Sequence, residues 1–366
     1  MYKEIKVSII TVCYNAETTI EKTINSVLSQ TYPNIEYIII DGKSKDNTVN
    51  VINKYKSKIA KFVSEPDNGI YDAMNKGIKM ATGDVIGIIN ADDWYDKDAV
   101  ENILNIFHNS NAEIVYGKAK MIYHDQSYFY TAKAELEKLW YDVRIMHPTV
   151  FVKKEVYDKY GLFDLSYELA ADYELILRYY IDKVKFLYMD EVVVNFTLGG
   201  KSTIEFAKGV KEVKEISLKY ASKYVGNDNL FDLIENRYKE ALFNMSLQGP
   251  SDIIKTIFEK YYNNCNEGIY IFGTGHFGKV FFRVLNALGI LVNGFLDNNL
   301  DKQKDLENIK IYTPKILASG NYNVFIAVNN CSQEIVEQIK SFNNKGITYL
   351  TISELKNQIF NVCNEE

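Results

Sequence analysis

The chain is poor in the residues that cage metals or staple small folds. It has only 4 Cys and 4 His among 366 residues. Cys13, Cys265, Cys331 and Cys363 form no Cys-x-x-Cys pair and join no close His/Cys cluster. That excludes a structural zinc site and a disulfide framework, and buried reduced thiols are the expectation. No apolar run approaches the ~20 residues needed to span a bilayer. The opening Met1-Tyr2-Lys3-Glu4-Ile5-Lys6 enters strand-like sequence at once, so no signal peptide is expected. These absences point to a cytoplasmic protein that meets a membrane, if at all, peripherally at the inner face. A formal charge of -6 argues against a coat for nucleic acid or anionic lipid, so no nucleic-acid partner is expected. There is no internal repeat and no low-complexity tract.

What is present reads as ordinary globular sequence, 47% hydrophobic and 25% charged. The length suggests two domains at about 150 residues each. Val7–Val12, Ile35–Ile40 and Val85–Ile89 are β-branched runs, as in strands buried on both faces. Between them, Thr18–Gln30 and Ile70–Met80 carry helical apolar spacing, and 46–55 reads as a shorter helix capped by Ser44 or Asp46. Lys61–Ser64 is a short strand. Such alternation predicts parallel strands with right-handed crossovers. From 116 to 131 the texture becomes aromatic and β-branched, suiting antiparallel ribbons or long loops. Val150–Lys153 reads as a strand and 171–180 as a helix. Val184–Tyr188 and Val192–Phe196 read as two more strands, and 198–202 as a loop. Residues 205–265 read as helical throughout and are taken as a connector, with a break at Gly249-Pro250. Alternation then restarts: strands at 268–272, 291–296, 324–328 and 347–350, and helices at 277–288 and 333–342.

Asp92 and Asp93, in Asn90-Ala91-Asp92-Asp93-Trp94, follow directly on a predicted buried strand. Ligands of open parallel sheets bind beyond the carboxyl ends of strands. Two adjacent carboxylates repel, and a hard divalent cation, Mg²⁺ or Mn²⁺, relieves that repulsion. Such a cation also offsets charge on a departing diphosphate. A turn or helix cap explains the pair alone. Asp41 and Asp67 end two other predicted crossovers, where a carboxylate can accept from a base or ribose, although turn chemistry serves there too. Three polar clusters at three strand ends argue for a shared site. Asp172 opens a helix, where the helix dipole alone accounts for an acid. Its apolar neighbours Ala170, Ala171 and Leu175 would equally make it a base. His147 stands before a strand as a metal or phosphate contact, or as a buried core histidine. Lys201, in Gly199-Gly200-Lys201-Ser202, suits a closing lid that meets phosphate, or a solvated loop.

These segments resemble family-2 glycosyltransferases. The likeness lies in Thr11-Val12-Cys13-Tyr14-Asn15, in Ile40-Asp41-Gly42-Lys43-Ser44, and in Ser64-Glu65-Pro66-Asp67-Asn68-Gly69 through Gly77. It continues through Asn90-Ala91-Asp92-Asp93-Trp94-Tyr95, His147-Pro148-Thr149, Gly161-Leu162-Phe163-Asp164 and Ala171-Asp172-Tyr173-Glu174. The third and later segments look like a subgroup that makes bacterial surface polysaccharides. The resemblance runs from Val7 to Thr203. It implies a GT-A fold over residues 1–204 and inverting transfer from a nucleotide-sugar, a UDP-sugar by family habit. The acceptor would be a glycan or polyprenyl-linked glycan. By resemblance, Thr11, Tyr14 and Asp41 hold the base, and Asp67 and Asn75 lie near the nucleoside. Asp92 faces ribose or sugar, Asp93 holds the metal, and Asp172 is the catalytic base. Asn90, Gly42 and Ala171 each stand where the family often has an acidic residue.

Beyond the helical stretch, Gly273-Thr274-Gly275-His276-Phe277-Gly278 lies between a predicted strand and helix, with Asp297 ending the next strand. That is a dinucleotide fingerprint: the glycines admit a pyrophosphate and Asp297 holds a ribose. Residues 266–366 are therefore expected to form a smaller Rossmann-like domain, for nucleotide binding or for interaction. Two other readings of the whole chain stay open: a bifunctional protein whose second domain modifies a sugar nucleotide with NAD, and a non-catalytic nucleotide-sugar sensor.

Overall fold

The computed structural model describes residues 5–123, 127–131, 133–198, 205–225, 228–247, 252–262, 268–299, 309–328 and 332–365. The chain divides into two compact units, Met1–Ile234 and Glu235–Glu366.

The first unit opens with β1 (Val7–Cys13), α1 (Ile20–Leu28), β2 (Ile35–Asp41), α2 (Thr48–Asn53), β3 (Lys61–Ser64), α3 (Ile70–Met80) and β4 (Val85–Asn90). The four strands pair in parallel in the order β3-β2-β1-β4. Every residue of β1 is buried, Ser8 and Thr11 included, as its β-branched character predicts. Two cores form because successive side chains face opposite ways. Ile10, Val12, Ile86 and Ile88 pack on one side with α3 residues, and Ile9, Ile39 and Ile89 pack on the other with α1 residues.

The unit continues with β5 (Trp94–Tyr95), α4 (Ala99–Asn109), β6 (Ile114–Tyr123), β7 (Ser127–Tyr130), β8 (Val150–Lys153), α5 (Lys154–Tyr160), α6 (Ala171–Ile181) and β9 (Phe186–Thr197). The sheet grows past β4 as β8-β6-β9-β5, with β7 antiparallel on β6. One expectation changes here. The two strands read at 184–188 and 192–196 are a single β9, whose exposed Asp190 and Glu191 mimic a break. Opposite them the β6 register shifts around Lys118.

The helical stretch after residue 204 falls on both units. Its first helix, α7 (Phe206–Tyr224), buries Ile216 and Tyr220 in the core shared by α3 and α6. Its Ser217 hydroxyl meets Tyr173 at 2.8 Å, and its Tyr220 hydroxyl donates to Glu174. Helix α8 (Asp228–Ser246) contains the division between the units, and α9 (Asp252–Tyr261) belongs to the second.

The second unit adds β10 (Ile269–Phe272), α10 (His276–Ala287), β11 (Val292–Leu296), β12 (Ile311–Tyr312), β13 (Tyr322–Ile326), α11 (Ser332–Ser341), β14 (Ile347–Thr351) and α12 (Ile352–Glu365). Its sheet is parallel throughout, in the order β12-β11-β10-β13-β14. Phe281 and Phe325 anchor the core with ring centroids 4.4 Å apart. Gly278 lets α10 approach β10, since a Cβ there would strike the Gly273 carbonyl. Gly278→Ala should therefore cost about 1–3 kcal/mol by overpacking. Denaturant unfolding of the second unit measures this, and an unchanged midpoint would refute the close-approach argument.

Candidate active site at the carboxyl edge of the sheet

Parallel register aligns four strand ends. Cys13 pairs with Asp41, Asp41 with Ser64, and Val12 with Asn90. The loops leaving β1, β2, β3 and β4 thus emerge along one rim.

The Asp41 carboxylate is fully buried beneath this rim. It accepts from the Ser44 hydroxyl, the Ser44 N–H at 3.1 Å, the Ser64 hydroxyl at 2.6 Å and, more weakly, Cys13 Sγ at 3.6 Å. A carboxylate has about four acceptor positions, and these are taken. Asp41 therefore organises the rim rather than facing a base. Burial and the charge of Asp41 push the Cys13 thiol well up. Thr11 differs from expectation in the same way: its buried hydroxyl meets the Tyr37 hydroxyl at 3.0 Å, inside the sheet. Tyr14, in contrast, is 55% exposed on the rim. Asp67 lies beside it across Gly42. A Cβ at Gly42 would collide with the Asp67 carboxylate and press on the Tyr14 ring 3.4 Å away. An acidic side chain at position 42 does not fit with Asp67 placed here.

The loop holding Asp67 is braced from α3. Lys76 donates to the Pro66 carbonyl at 2.8 Å and pairs with Glu65 at 3.0 Å. Gly69 starts α3 at φ +108, a conformation that glycine alone adopts readily. Asn75 is buried, and its amide both donates to and accepts from the Phe163 backbone, at 2.9 and 3.0 Å. It clamps α3 to the 161–165 segment instead of facing the rim.

At the end of β4, Asp93 is buried and Asp92 half-buried. Asp93 accepts from the Thr197 N–H at 2.9 Å and from the Asn90 amide at 3.4 Å. Thr197, at the end of β9, also donates its hydroxyl to the Asp92 carbonyl at 2.8 Å. Burial pushes the Asp93 carboxyl well above its usual range, and the adjacent Asp92 charge adds to that. Burial raises Asp92 as well. Asn90 Oδ1 and the Tyr95 hydroxyl are buried without a hydrogen-bond partner. Negative charge is thus under-compensated at this one spot, and an acceptor oxygen is orphaned beside it. That donor set, two carboxylates and an amide oxygen, suits a hard cation. Among the described residues no three His, Cys, Asp or Glu side chains cluster as a metal cage. The arrangement fits an ion held by one or two carboxylates and completed by a phosphate-bearing substrate.

Asp172 lies in the first turn of α6. Its Oδ1 accepts from the Tyr71 hydroxyl at 3.0 Å and from the Tyr173 N–H at 2.9 Å. Tyr71 sits in the first turn of α3, which begins beyond the carboxyl end of β3, so Asp172 is tied to the same rim. Tyr71 stacks on Phe163 at 5.4 Å, and His147 meets Phe163 edge-on at 5.2 Å. Burial lowers the His147 pKa against a weaker pull from Asp172. Burial thus favours the neutral imidazole of His147, which packs against Phe163 within reach of the Asp172 charge.

The comparisons with known proteins fall on this edge. Residues 8–165 match the family model described as Glycosyl transferase family 2. A PGL/p-HBAD biosynthesis glycosyltransferase of Mycobacterium bovis is 26% identical over 202 residues, covering 53% of this chain and 78% of its own. This chain is a glycosyltransferase. Its fold is GT-A. The mannosyltransferase PcManGT from Pyrobaculum calidifontis, solved with GDP-Man and Mn2+, superposes with a TM-score of 0.52 at 14% identity, covering 79% of this chain and 86% of that one. S. aureus TarS 1-349, solved with UDP-GlcNAc, does so with a TM-score of 0.51 at 18% identity, covering 66% and 81%. The enzyme assignment overturns the reading of a non-catalytic sensor.

Several parts of this glycosyltransferase's site carry no sequence signal. Thr197 is 104 positions from Asp93 and meets it only because β9 closes against β5. Tyr71 had one: it stands four before Asn75, on the same helix face. Lys201 lies outside the described residues. In the second unit, Gly275 faces open space at the start of α10, as a phosphate loop requires. Asp297, however, accepts from the Thr274 N–H at 3.3 Å and from the Thr274 hydroxyl. The carboxylate expected to hold a ribose is engaged by the glycine loop itself.

Because the folded-state pKa of Asp93 is raised, this pair stabilises the fold fully below the ordinary carboxyl pKa. That contribution is lost as pH rises through the raised value. Without divalent ions, Asp93→Asn should unfold at a higher temperature than the parent near neutral pH, by roughly 2–4 °C per kcal/mol relieved. The gap should close at acid pH, and Mg²⁺ or Mn²⁺ should stabilise the parent alone. Equal midpoints throughout would remove the strained-pair argument.

Proposed function

We propose that this glycosyltransferase moves a sugar from a nucleoside diphosphate donor, a UDP-sugar, to a hydroxyl of a glycan or polyprenyl-linked glycan. Transfer inverts the anomeric carbon and serves cell-surface polysaccharide synthesis. The observation that carries the reading is the under-compensated Asp92–Asp93 pair, with Asn90 Oδ1 orphaned beside it, at the end of β4. In this reading Tyr14 and Asp67 receive the base and nucleoside, while Thr11, Asp41 and Asn75 hold the rim's shape from beneath. Asp92 faces the ribose or sugar. Asp93 and Asn90 hold Mg²⁺ or Mn²⁺, which when bound offsets the diphosphate charge as the glycosidic bond breaks. Support for a metal and for a nucleotide-sugar comes from the two solved relatives, one with GDP-Man and Mn2+ and one with UDP-GlcNAc.

An acceptor hydroxyl is a weak nucleophile at neutral pH. Asp172 takes its proton as the new C–O bond forms, and attack opposite the leaving diphosphate inverts the centre. Both hydrogen bonds that fix Asp172 fall on Oδ1, so the proton goes to Oδ2. His147, neutral and buried, orients the Phe163 wall by edge contact. No helix among the described residues is long and apolar enough to cross a membrane. We place the enzyme in the cytoplasm, reaching a lipid-linked acceptor peripherally at the inner membrane face. The bifunctional reading with NAD has less support, because Asp297 is taken by Thr274.

Nucleotide sugars supplied with Mn²⁺ or Mg²⁺ and assayed for free nucleoside diphosphate test the donor and the metal. Asp93→Asn should lose metal-dependent turnover. Asp172→Asn should keep donor binding while turnover drops roughly 10²–10⁴-fold, the span of one general base. Full turnover in Asp172→Asn would remove the base assignment.

A further inference from the structure

The helix that carries Asp172 has a weak start of its own. Ala170 is its N-cap and offers no side-chain acceptor to the first turn. Such an end leaves backbone N–H groups without partners and normally frays. Here the segment that leads into the helix, up to the N-cap itself, is held from another element. Glu212, on α7, accepts three successive backbone N–H groups: Glu168 at 3.0 Å, Leu169 at 2.8 Å and Ala170 at 2.9 Å. Lys208, one turn earlier on α7, pairs with Glu168, and Gly209 lies over Leu169. The next N–H groups of the turn lead to Tyr173, whose N–H goes to Asp172 Oδ1. The proposed base thus lies between a cap that it supplies itself and a cap that comes from α7.

Deeper along the same helix pair the contact is fixed again. Glu174 is buried, pairs with Arg178 at 2.9 Å and accepts from Tyr220 of α7. Arg178 in turn donates to the Leu162 carbonyl at 2.7 Å, next to the Phe163 that Asn75 clamps. Those bonds set the depth and rotation of α6. Glu212 instead holds the residues that lead into its first turn, where Asp172 also takes the Tyr71 hydroxyl and Tyr173 meets Ser217.

We infer that Glu212 is a positioning residue for transfer: by holding the 168–170 backbone it sets the direction of the Asp172 carboxylate at the rim. This rests on the reading of Asp172 as the base. Loss of the Glu212 carboxylate frees three N–H groups and lets the first turn of α6 shift. Tyr71 then keeps its bond only by pulling Asp172 away from the acceptor hydroxyl.

A double-mutant cycle on kcat tests this. Glu212→Ala should lower kcat roughly 10- to 100-fold, the loss expected for a base displaced by about 1 Å, with the donor KM held. Glu212→Gln keeps one acceptor oxygen for Leu169 and Ala170 and should recover most of the rate. In an Asp172→Asn background, Glu212→Ala should change the residual kcat little, because the two residues act through one step. An equal loss in both backgrounds, or full activity in Glu212→Ala, overturns the inference. If Glu212→Ala does not fold, Glu212→Asp, which draws the carboxylate back by one methylene, carries the same cycle, and an equal loss in both backgrounds there overturns it equally. Full turnover in Asp172→Asn is a separate outcome and strikes the base assignment itself.

Discussion

In-register parallel pairing of β1 with β2 on one side and β4 on the other constrains the whole first unit. Cys13, Asp41, Ser64 and Asn90 are brought level by that pairing. A slip of one residue would turn every side chain of β1 to the opposite face and bury the wrong set. Because β1 is buried along its whole length, the register cannot be set by a polar and an apolar face within it. It is set by the layers above and below, where α3 and α1 fill different grooves. The rim inherits its geometry from that sandwich.

On this rim the acidic residues divide by how their charge is met. Asp41 is compensated by hydroxyls and backbone, and its cost is settled within the protein. Asp172 has one face fixed and one unengaged by those bonds. Asp92 and Asp93 are compensated least, with raised pKa values and orphaned oxygen atoms nearby. The gradient runs from residues that shape the site to residues that, in the proposed reading, await a ligand. A cleft where charge is stored without a partner is where an incoming cation and diphosphate gain most.

Much of this was legible in the sequence. The buried runs at 7–12, 35–40 and 85–89 became adjacent strands, and the polar clusters after them became one edge. The Asp92–Asp93 pair was visible as repulsion without a partner. What sequence could not show is which way a side chain turns at a strand end. Thr11 and Asp41 lie on strands whose ends reach the rim, yet both turn inward because Tyr37, Ser44 and Ser64 offer bonds there. Asn75 was placed near the nucleoside by likeness alone, and its partner 88 positions on takes its amide inward. The helical stretch after 204 read as a connector because its charged and apolar spacing is generic. The tyrosines, the serine and the two glutamates that join α7 to α6 and its lead-in carry no local mark.

The join between α7 and α6 also bears on where the working unit ends. The family match stops at residue 165, and the last strand of the sheet stops at Thr197. A fragment cut at 165 would lose Asp172, whereas one cut after Thr197 would hold every acidic residue of the rim. It would still lack the carboxylate that closes the start of α6, the hydroxyl on Glu174 and the hydroxyl on Tyr173. The smallest piece with an intact rim is therefore longer than its most recognisable stretch, and must run at least through Tyr224.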